Sequence, residues 1–373
     1  MNIAFVLWNG DIGGAERVTI TLAGELQRMG VETSVLFVGG PGQLVTQLDA
    51  EELRHESLGY HRGANVTLHP RAIASAVRLL RADAVIPVCV GYLGASIRVG
   101  GFRGPIIGVE HGELLRIGAR PGAGRLVGWG DRLSGVPTYD AEIAVSRYMA
   151  ELVRRRPHAR RVVTISHGLS LSLDAPPMPP LDRGPLVLGY VGRLFRGKGV
   201  DVLLRAIALL QRGDSPLPVI LRVAGDGECR NVWEELARGL DIADRVSFSG
   251  WTEDVIGHWA GCHVAVTPSN DFVESFCMSA AEAMLMGRPA IVTDRGALPE
   301  LVVPGVTGQI AAAGDDRALA AAIAAYAHDP RRVSDEGEAA RQRIVIHYSL
   351  RESASRYLEL ATELLAKRVP RRW

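Results

Sequence analysis

Short apolar runs alternate with longer stretches of helical periodicity along most of the chain. In the first half, Ile3–Trp8, Thr33–Val38, Ala84–Val90, Pro105–Glu110, Glu142–Ser146 and Arg161–Ser166 read as strands. Between them, Ala15–Met29, Arg71–Arg81 and Arg147–Arg156 carry helical spacing. This βαβ alternation predicts a parallel, doubly wound sheet.

The stretch DAPPMPPLDRGP (174–185) interrupts the pattern; five of its twelve residues are proline, so it reads as a stiff linker. A second alternation follows. Strands are predicted at Val187–Gly192, Val219–Ala224, Val246–Ser249, His263–Thr267 and Pro289–Thr293. Helices are predicted at Gly199–Gln211, Asn231–Gly239, Trp251–Cys262 and Ser275–Met286, with three more around 315–328, 332–346 and 350–368. No short repeat is visible. The expected architecture is α/β, with two Rossmann-like doubly wound domains, 1–175 and 176–348, facing a cleft where ligands collect at the carboxyl ends of strands.

Composition narrows the function. A chain of 373 residues that is 47% hydrophobic is long enough for two cores. Its formal net charge of +1 does not suggest a dedicated nucleic-acid binder. The cysteines at 89, 229, 262 and 277 form no CxxC pair, so neither a disulfide framework nor a zinc site is indicated, and a reducing cytosol is expected. The N-terminal MNIAFVLWNG has no basic n-region, and no apolar run reaches the roughly 18 residues of a transmembrane helix. A cytoplasmic protein is therefore expected. Of its 42 Lys and Arg residues only Lys198 and Lys367 are lysine, which singles out Lys198.

Four parts of the sequence can carry chemistry, the third of them a pair of strand ends. WNGDIGGAERV (8–18) joins a strand to a helix through Gly13 and Gly14. Paired glycines there let backbone amides approach an oxyanion, or form an ordinary tight turn. YVGRLFRGKGVD (190–201) places Arg193 and Lys198 in a loop between strand and helix. A forked guanidinium and a point charge suit a diphosphate; the alternative is a solvated basic loop. VAGDGE (223–228) and SFSGW (247–251) end strands in glycine and could floor a nucleotide site, with Gly250 in the second.

The fourth is TPSNDFVESFCMSAAEAMLMGRPAIVTD (267–294). Ser275 is the expected N-cap and Phe276 the first helical residue, with Glu274 just ahead of the helix and Glu282 about two turns inside. That separation argues against a shared acid/base centre and for two carboxylates on different hydroxyls of one elongated ligand. Glu282 is otherwise a solvent-facing helical glutamate, but its neighbours are largely apolar, and a carboxylate there needs a partner.

Taken in order, GGAER, GR…KG, AGDGE, the two glutamates with EAM…GRPAIVTD, and PELV…GVTG resemble the retaining glycosyltransferases of family four over nearly the whole chain. The resemblance implies the GT-B fold and a C-terminal helix, 349–373, that packs back on the first domain. It implies that Arg193 and Lys198 bind the diphosphate of a nucleotide-sugar donor and stabilise charge on the leaving group. Glu282 then holds the ribose hydroxyls. Glu274 contacts the transferred sugar, helped by Phe276 and the amides of Cys277 and Met278. Gly13 and Gly14 line the cleft, and His111 in VEHGE matches the cleft histidine near the sugar. No DxD motif is placed to hold a metal-bound diphosphate, so no metal and no cofactor are expected. The acceptor would be a glycan or a lipid-linked molecule, as in polysaccharide or glycolipid assembly.

Two positions depart from the family pattern. Cys277 stands where glycine is usual; a positive φ there would strain it, and its thiol could narrow donor choice. His167, in ISHGLS (165–170), replaces the asparagine of a proline–asparagine–glycine turn. On the acceptor side, the loop 112–130 with Trp129 is a candidate lid. RRRPHARR (154–161) and KRVPRRW (367–373) are either solvated basic segments or contacts to an anionic membrane surface. Competing readings are a GT-B phosphorylase or epimerase, and a catalytically silent sugar-nucleotide-binding or scaffold subunit.

Overall fold

The computed structural model describes residues 1–10, 13–60, 70–88, 91–111, 137–156, 159–170, 178–181, 184–212 and 215–368. The loop 112–130 with Trp129, Cys89, parts of the basic stretch 154–161 and of the linker 174–185, and the last five residues lie outside that description. The chain divides into two compact units, Met1–Gly168 with Leu350–Trp373, and Leu169–Ser349. The chain enters and leaves the second unit side by side: the Leu169 amide donates to the Tyr348 carbonyl at 2.8 Å, and Leu169 bridges Ser349. That pairing sets the division a few residues ahead of the proline-rich linker.

Among its described residues the first unit holds seven parallel strands: β1 (Asn2–Leu7), β2 (Glu32–Phe37), β3 (Arg54–Ser57), β4 (Ala84–Pro87), β5 (Ile107–Glu110), β6 (Ala141–Ala144) and β7 (Val162–Thr164). They run β3-β2-β1-β4 and β5-β6-β7, and bridges Val85↔Ile106 and Val88↔Val109 connect the two groups. Every residue of β1 is buried, as a strand covered on both faces must be. By contrast, β3 reads RHES and is largely exposed. An edge strand needs no apolar pattern, so periodicity missed it. Helix Gly14–Arg28 buries Val18, Ile20, Leu22, Ala23 and Leu26. It packs against helix Leu350–Ala366, whose Tyr357, Leu360, Ala361 and Leu364 are buried. Ser353 Oγ donates to the Ser166 carbonyl at 3.0 Å and Arg356 to the Thr164 carbonyl at 2.7 Å, which ties the last helix to the end of β7.

The second unit is a six-stranded parallel sheet: β8 (Leu186–Val191), β9 (Val219–Ala224), β10 (Val246–Gly250), β11 (Val264–Thr267), β12 (Ala290–Thr293) and β13 (Gly308–Ala311), in the order β10-β9-β8-β11-β12-β13. The order reverses between β8 and β11, as it does between β1 and β4. Ligands of such sheets bind outside the strand carboxyl ends at that reversal. Strand β13 and the short helices Gly91–Val99 and Leu298–Leu301 add to the predicted set. The expected helix Trp251–Cys262 is only Val255–Ala260, because Asp254 caps it, accepting from the Gly257 amide at 2.7 Å.

Candidate active site

Two loops converge at the reversal point of the second sheet. After β8 the chain passes Gly192 and a 3-10 turn, Arg196–Lys198, into helix Val200–Gln211. After β11 it runs from Pro268 to Cys277 into helix Met278–Leu285. The neighbouring strands deliver Lys198 and Glu274 to one point, where Lys198 Nζ lies 2.7 Å from Glu274 Oε1. Ser269 Oγ donates to the same oxygen at 2.7 Å. Glu274 is buried, and its side chain is only 7% exposed. Both bonds fall on Oε1 rather than Oε2.

Aromatic rings fix the cations. Lys198 Nζ sits 4.3 Å from the Phe272 ring centroid, and Phe272 meets Phe195 edge-on at 5.3 Å. The Arg193 guanidinium lies 5.5 Å from the Phe195 centroid on an exposed side chain. The Tyr190 hydroxyl donates to the Arg193 carbonyl at 3.1 Å, and burial raises the Tyr190 pKa so that it remains a neutral donor. Arg193 and Lys198 thus share the Phe195 ring, at 5.5 and 5.9 Å from its centroid. Ser269, Phe272 and Tyr190 were not singled out from sequence. Each lies within or beside the stretches that were, but only the fold brings them to Glu274 and Arg193.

The helix after Glu274 starts later than expected. Its first residue is Met278 rather than Phe276, and its N-cap is Cys277 rather than Ser275, with φ 87° and ψ 81°. A left-handed residue cannot continue a helix backward, so the start moves by two residues. The strain foreseen at Cys277 is therefore present. Its thiol lies 3.8 Å from Thr267 Oγ1 and 3.5 Å from Ser279 Oγ, and burial raises its pKa, which opposes a thiolate nucleophile. Phe276 is buried and meets Tyr348 at 5.4 Å, so it anchors the loop through its ring. Glu282 is half-buried within the helix, between the buried Ala281 and Ala283.

The glycine-ended strands form a layer. The Gly225 amide donates to the Gly250 carbonyl at 2.7 Å, and a Cβ on Gly225 would meet the Gly192 carbonyl at 1.9 Å. Gly250, at φ 80°, thus lies in one layer with the loop that carries Arg193. Gly13 and Gly14 differ. Gly13 is the extended N-cap of helix Gly14–Arg28, and a Cβ on Gly14 would meet nothing within 4 Å. Among the described residues, no packing demands glycine at 14.

His111 follows β5 and His167 follows β7 in the first unit. His167 Nε2 and His111 Nδ1 lie 3.1 Å apart, with ring planes within 23°. Loss of water pushes the His111 pKa down to about 4, and His167 falls well below its usual range through burial and the neighbouring ring. Both rings are neutral at pH 7.

Both basic segments contain paired residues. Arg156 contacts Glu110 at 3.0 Å and Glu142 at 3.5 Å, while Arg161 pairs with Glu363 at 2.5 Å. Lys367 bonds the same Glu363 at 2.7 Å, and Arg368 pairs with Asp140. Among the described residues, no group of three or more His, Cys, Asp or Glu is arranged to hold a metal ion, and no helix is long and apolar enough to cross a membrane.

Residues 185–329 match the model of the glycosyl transferases group 1, and residues 12–173 match that of glycosyltransferase family 4. The lipopolysaccharide core biosynthesis mannosyltransferase LpcC of Rhizobium leguminosarum bv. viciae is 31% identical over 228 residues, which span 58% of this chain and 62% of that protein. D-inositol 3-phosphate glycosyltransferase 2 of Catenulispora acidiphila is 27% identical over 379 residues, covering 88% of this chain and 85% of its own length. Among solved structures, Anabaena Alr3699/HepE in complex with UDP and glucose superposes with a TM-score of 0.80 at 22% identity, over 97% of this chain and 100% of that one. Sucrose-phosphate synthase from Thermosynechococcus elongatus gives a TM-score of 0.80 at 22% identity, over 98% and 99%. The shared architecture is GT-B, two Rossmann-like units with parallel sheets.

Proposed function

The chain belongs to glycosyltransferase family 4, the glycosyl transferases group 1, and on that premise we propose that it moves a sugar from a nucleotide-diphospho-sugar to a glycan or lipid-linked acceptor, with retention and without a metal ion. The observation that carries this is the Lys198–Glu274 contact of 2.7 Å at the sheet reversal of the second unit, beside the exposed guanidinium of Arg193. A diphosphate needs two cationic partners, and a sugar needs an acceptor for its hydroxyls; this loop pair supplies both.

In this reading the bond from the anomeric carbon to the diphosphate oxygen breaks, and a bond to the acceptor oxygen forms on the same face. The acceptor proton passes to the departing phosphate, so no protein base is required. Arg193 and Lys198 offset the charge that builds on the leaving group. Glu274 Oε2 accepts from a sugar hydroxyl, Glu282 from the ribose, and His111 contacts the sugar. The solved Anabaena relative, in complex with UDP and glucose or with UDP-glucose, makes a uridine donor the first to try. A lipid-linked acceptor would bring the protein to an anionic membrane surface; flotation with vesicles containing anionic lipid tests that part.

The test is calorimetry with nucleoside diphosphates and their sugars in EDTA. Selective binding of one nucleotide, lost in Arg193→Ala, is expected. No binding to any member by a folded sample would overturn the reading and favour a scaffold subunit.

A further inference from the structure

Ser269 lies two residues beyond β11, fully buried, and its hydroxyl donates to Glu274 Oε1 at 2.7 Å. We propose that Ser269 is a positioning residue: it holds the Glu274 carboxylate in the orientation that meets the transferred sugar, while Lys198 supplies charge to the same oxygen and to the donor's diphosphate. This rests on the reading of Glu274 as a sugar contact.

The two donors to Oε1 differ in what else they serve and in how firmly they are held. The Lys198 ammonium carries three protons on a flexible four-carbon stem, and in the proposed chemistry the diphosphate draws on it. A serine hydroxyl has one proton and swings about a single side-chain torsion. The backbone beneath it is seated on two sides. The Ser269 carbonyl accepts from Thr293 Oγ1, at the end of β12, at 2.5 Å. The following amide, of Asn270, donates to the Gly197 carbonyl at 3.1 Å, as does that of Phe272. Glu274 is held from elsewhere. Its carbonyl accepts from the Ala297 amide at 2.8 Å, and a Cβ on Gly296, at φ 64°, would meet that carbonyl oxygen at 2.3 Å. The Ser269–Glu274 bond therefore joins two fixed stretches of backbone, and it closes the loop whose Phe272 ring lies 4.3 Å from Lys198 Nζ. A carboxylate tied to a short, seated donor keeps its direction when a long cationic side chain shifts toward a ligand. Such support from behind is what holds a binding group in productive geometry.

The experiment is calorimetry on the full chain with UDP and UDP-glucose, GDP and GDP-mannose, and ADP and ADP-glucose. It compares the wild type with Ser269→Ala, Glu274→Ala and the double variant. For the pair that binds, the ratio of the nucleotide-sugar Kd to the nucleoside-diphosphate Kd isolates the contacts to the sugar. Expected in Ser269→Ala is an unchanged diphosphate Kd and a ratio raised about 10-fold. Glu274→Ala raises the ratio at least as much, and Ser269→Ala adds nothing in that background. An unchanged ratio in Ser269→Ala, or the same increment with and without Glu274, overturns the proposal. Two outcomes belong to the underlying reading. If the folded wild type binds none of these ligands, the donor reading falls and the positioning role with it. If a pair binds but Glu274→Ala leaves its ratio unchanged, Glu274 is no sugar contact, and the positioning role falls for that reason. Thr293→Val separates positioning from loop integrity. It removes the bond to the Ser269 carbonyl and keeps the Ser269 hydroxyl, with the Gly197 carbonyl still seating the loop. It should lower the unfolding temperature and change the ratio by no more than about twofold. A ratio that follows stability through both Ser269→Ala and Thr293→Val would mean only lost packing.

Discussion

Lys198 and Glu274 are bonded to each other, Nζ to Oε1 at 2.7 Å, although they come from loops after different strands. Their side chains are 17% and 7% exposed, so each is the main counter-charge of the other. Lys198→Met therefore removes a diphosphate ligand and also leaves a buried carboxylate without its cation. Turnover is expected to fall by about 10³. Stability is expected to fall by roughly 1–3 kcal/mol, with the residual exposure discounted. Glu274→Gln in the same background should recover most of the stability and none of the turnover. Thermal unfolding and nucleotide-release kinetics on the three variants check this; loss of turnover without loss of stability would show that the pair is not coupled.

Cys277 holds φ 87° as a non-glycine residue. Alanine and glycine at this position remove the same thiol but differ in the cost of the left-handed backbone. Cys277→Gly is expected to be more stable than Cys277→Ala by about 1 kcal/mol, the reverse of the order inside a helix. Chemical denaturation of the pair decides it.

At Gly14 a methyl group would meet nothing within 4 Å and would begin a helix. Gly14→Ala should therefore leave stability unchanged or raise it by up to about 0.5 kcal/mol. If the open space belongs to the donor, turnover falls about 10-fold at the same time. Unchanged turnover would show that the space is not used.

Glu142 shares Arg156 with Glu110 in the first unit. Burial, and then the charge of Glu110, push its pKa up to about 7, against the opposing pull of Arg156. A carboxyl that binds its proton more tightly when folded contributes stability below its unfolded pKa. That contribution is lost as pH rises through 7. Unfolding free energy should decline between about pH 4.5 and 7 through this group, and Glu142→Gln should flatten that decline and be the more stable protein at pH 8, by about 1–2 kcal/mol. Denaturation at pH 5 and pH 8 tests both; a steeper decline in the variant would contradict the assignment.

Much of the scaffold was legible because buried parallel strands write themselves as apolar runs; β4, β5, β7, β9, β11 and β12 lie within predicted ones, and β1, β2 and β8 each start one residue ahead of theirs. What escaped had no such signal. RHES at β3 is an edge strand, and the helix Leu298–Leu301 is too short to show a period. Lys198, Arg193 and Glu274 could be named from their loops, but their mutual contact depends on which strands adjoin, and neighbours β8 and β11 are some seventy residues apart in sequence. The helix start was misplaced because Ser275 has the right side chain for a cap, while the backbone at Cys277 decided the matter. That Arg156 and Arg161 of the basic stretch 154–161 are paired was not legible, because their carboxylate partners, Glu110, Glu142 and Glu363, are remote in sequence.

The pairing of Leu169 with Tyr348 and Ser349 has a consequence for how the chain is made. Everything between those residues is one closed excursion, and the first unit is interrupted by it. On a ribosome, helix Gly14–Arg28 emerges early, yet its companion Leu350–Ala366 is translated only after the whole second sheet. The second unit can thus fold first, from a contiguous segment, while the first waits with an apolar helix face uncovered. Nascent chains arrested before residue 350 should therefore protect residues 169–349 from protease and leave the N-terminal part open to cleavage.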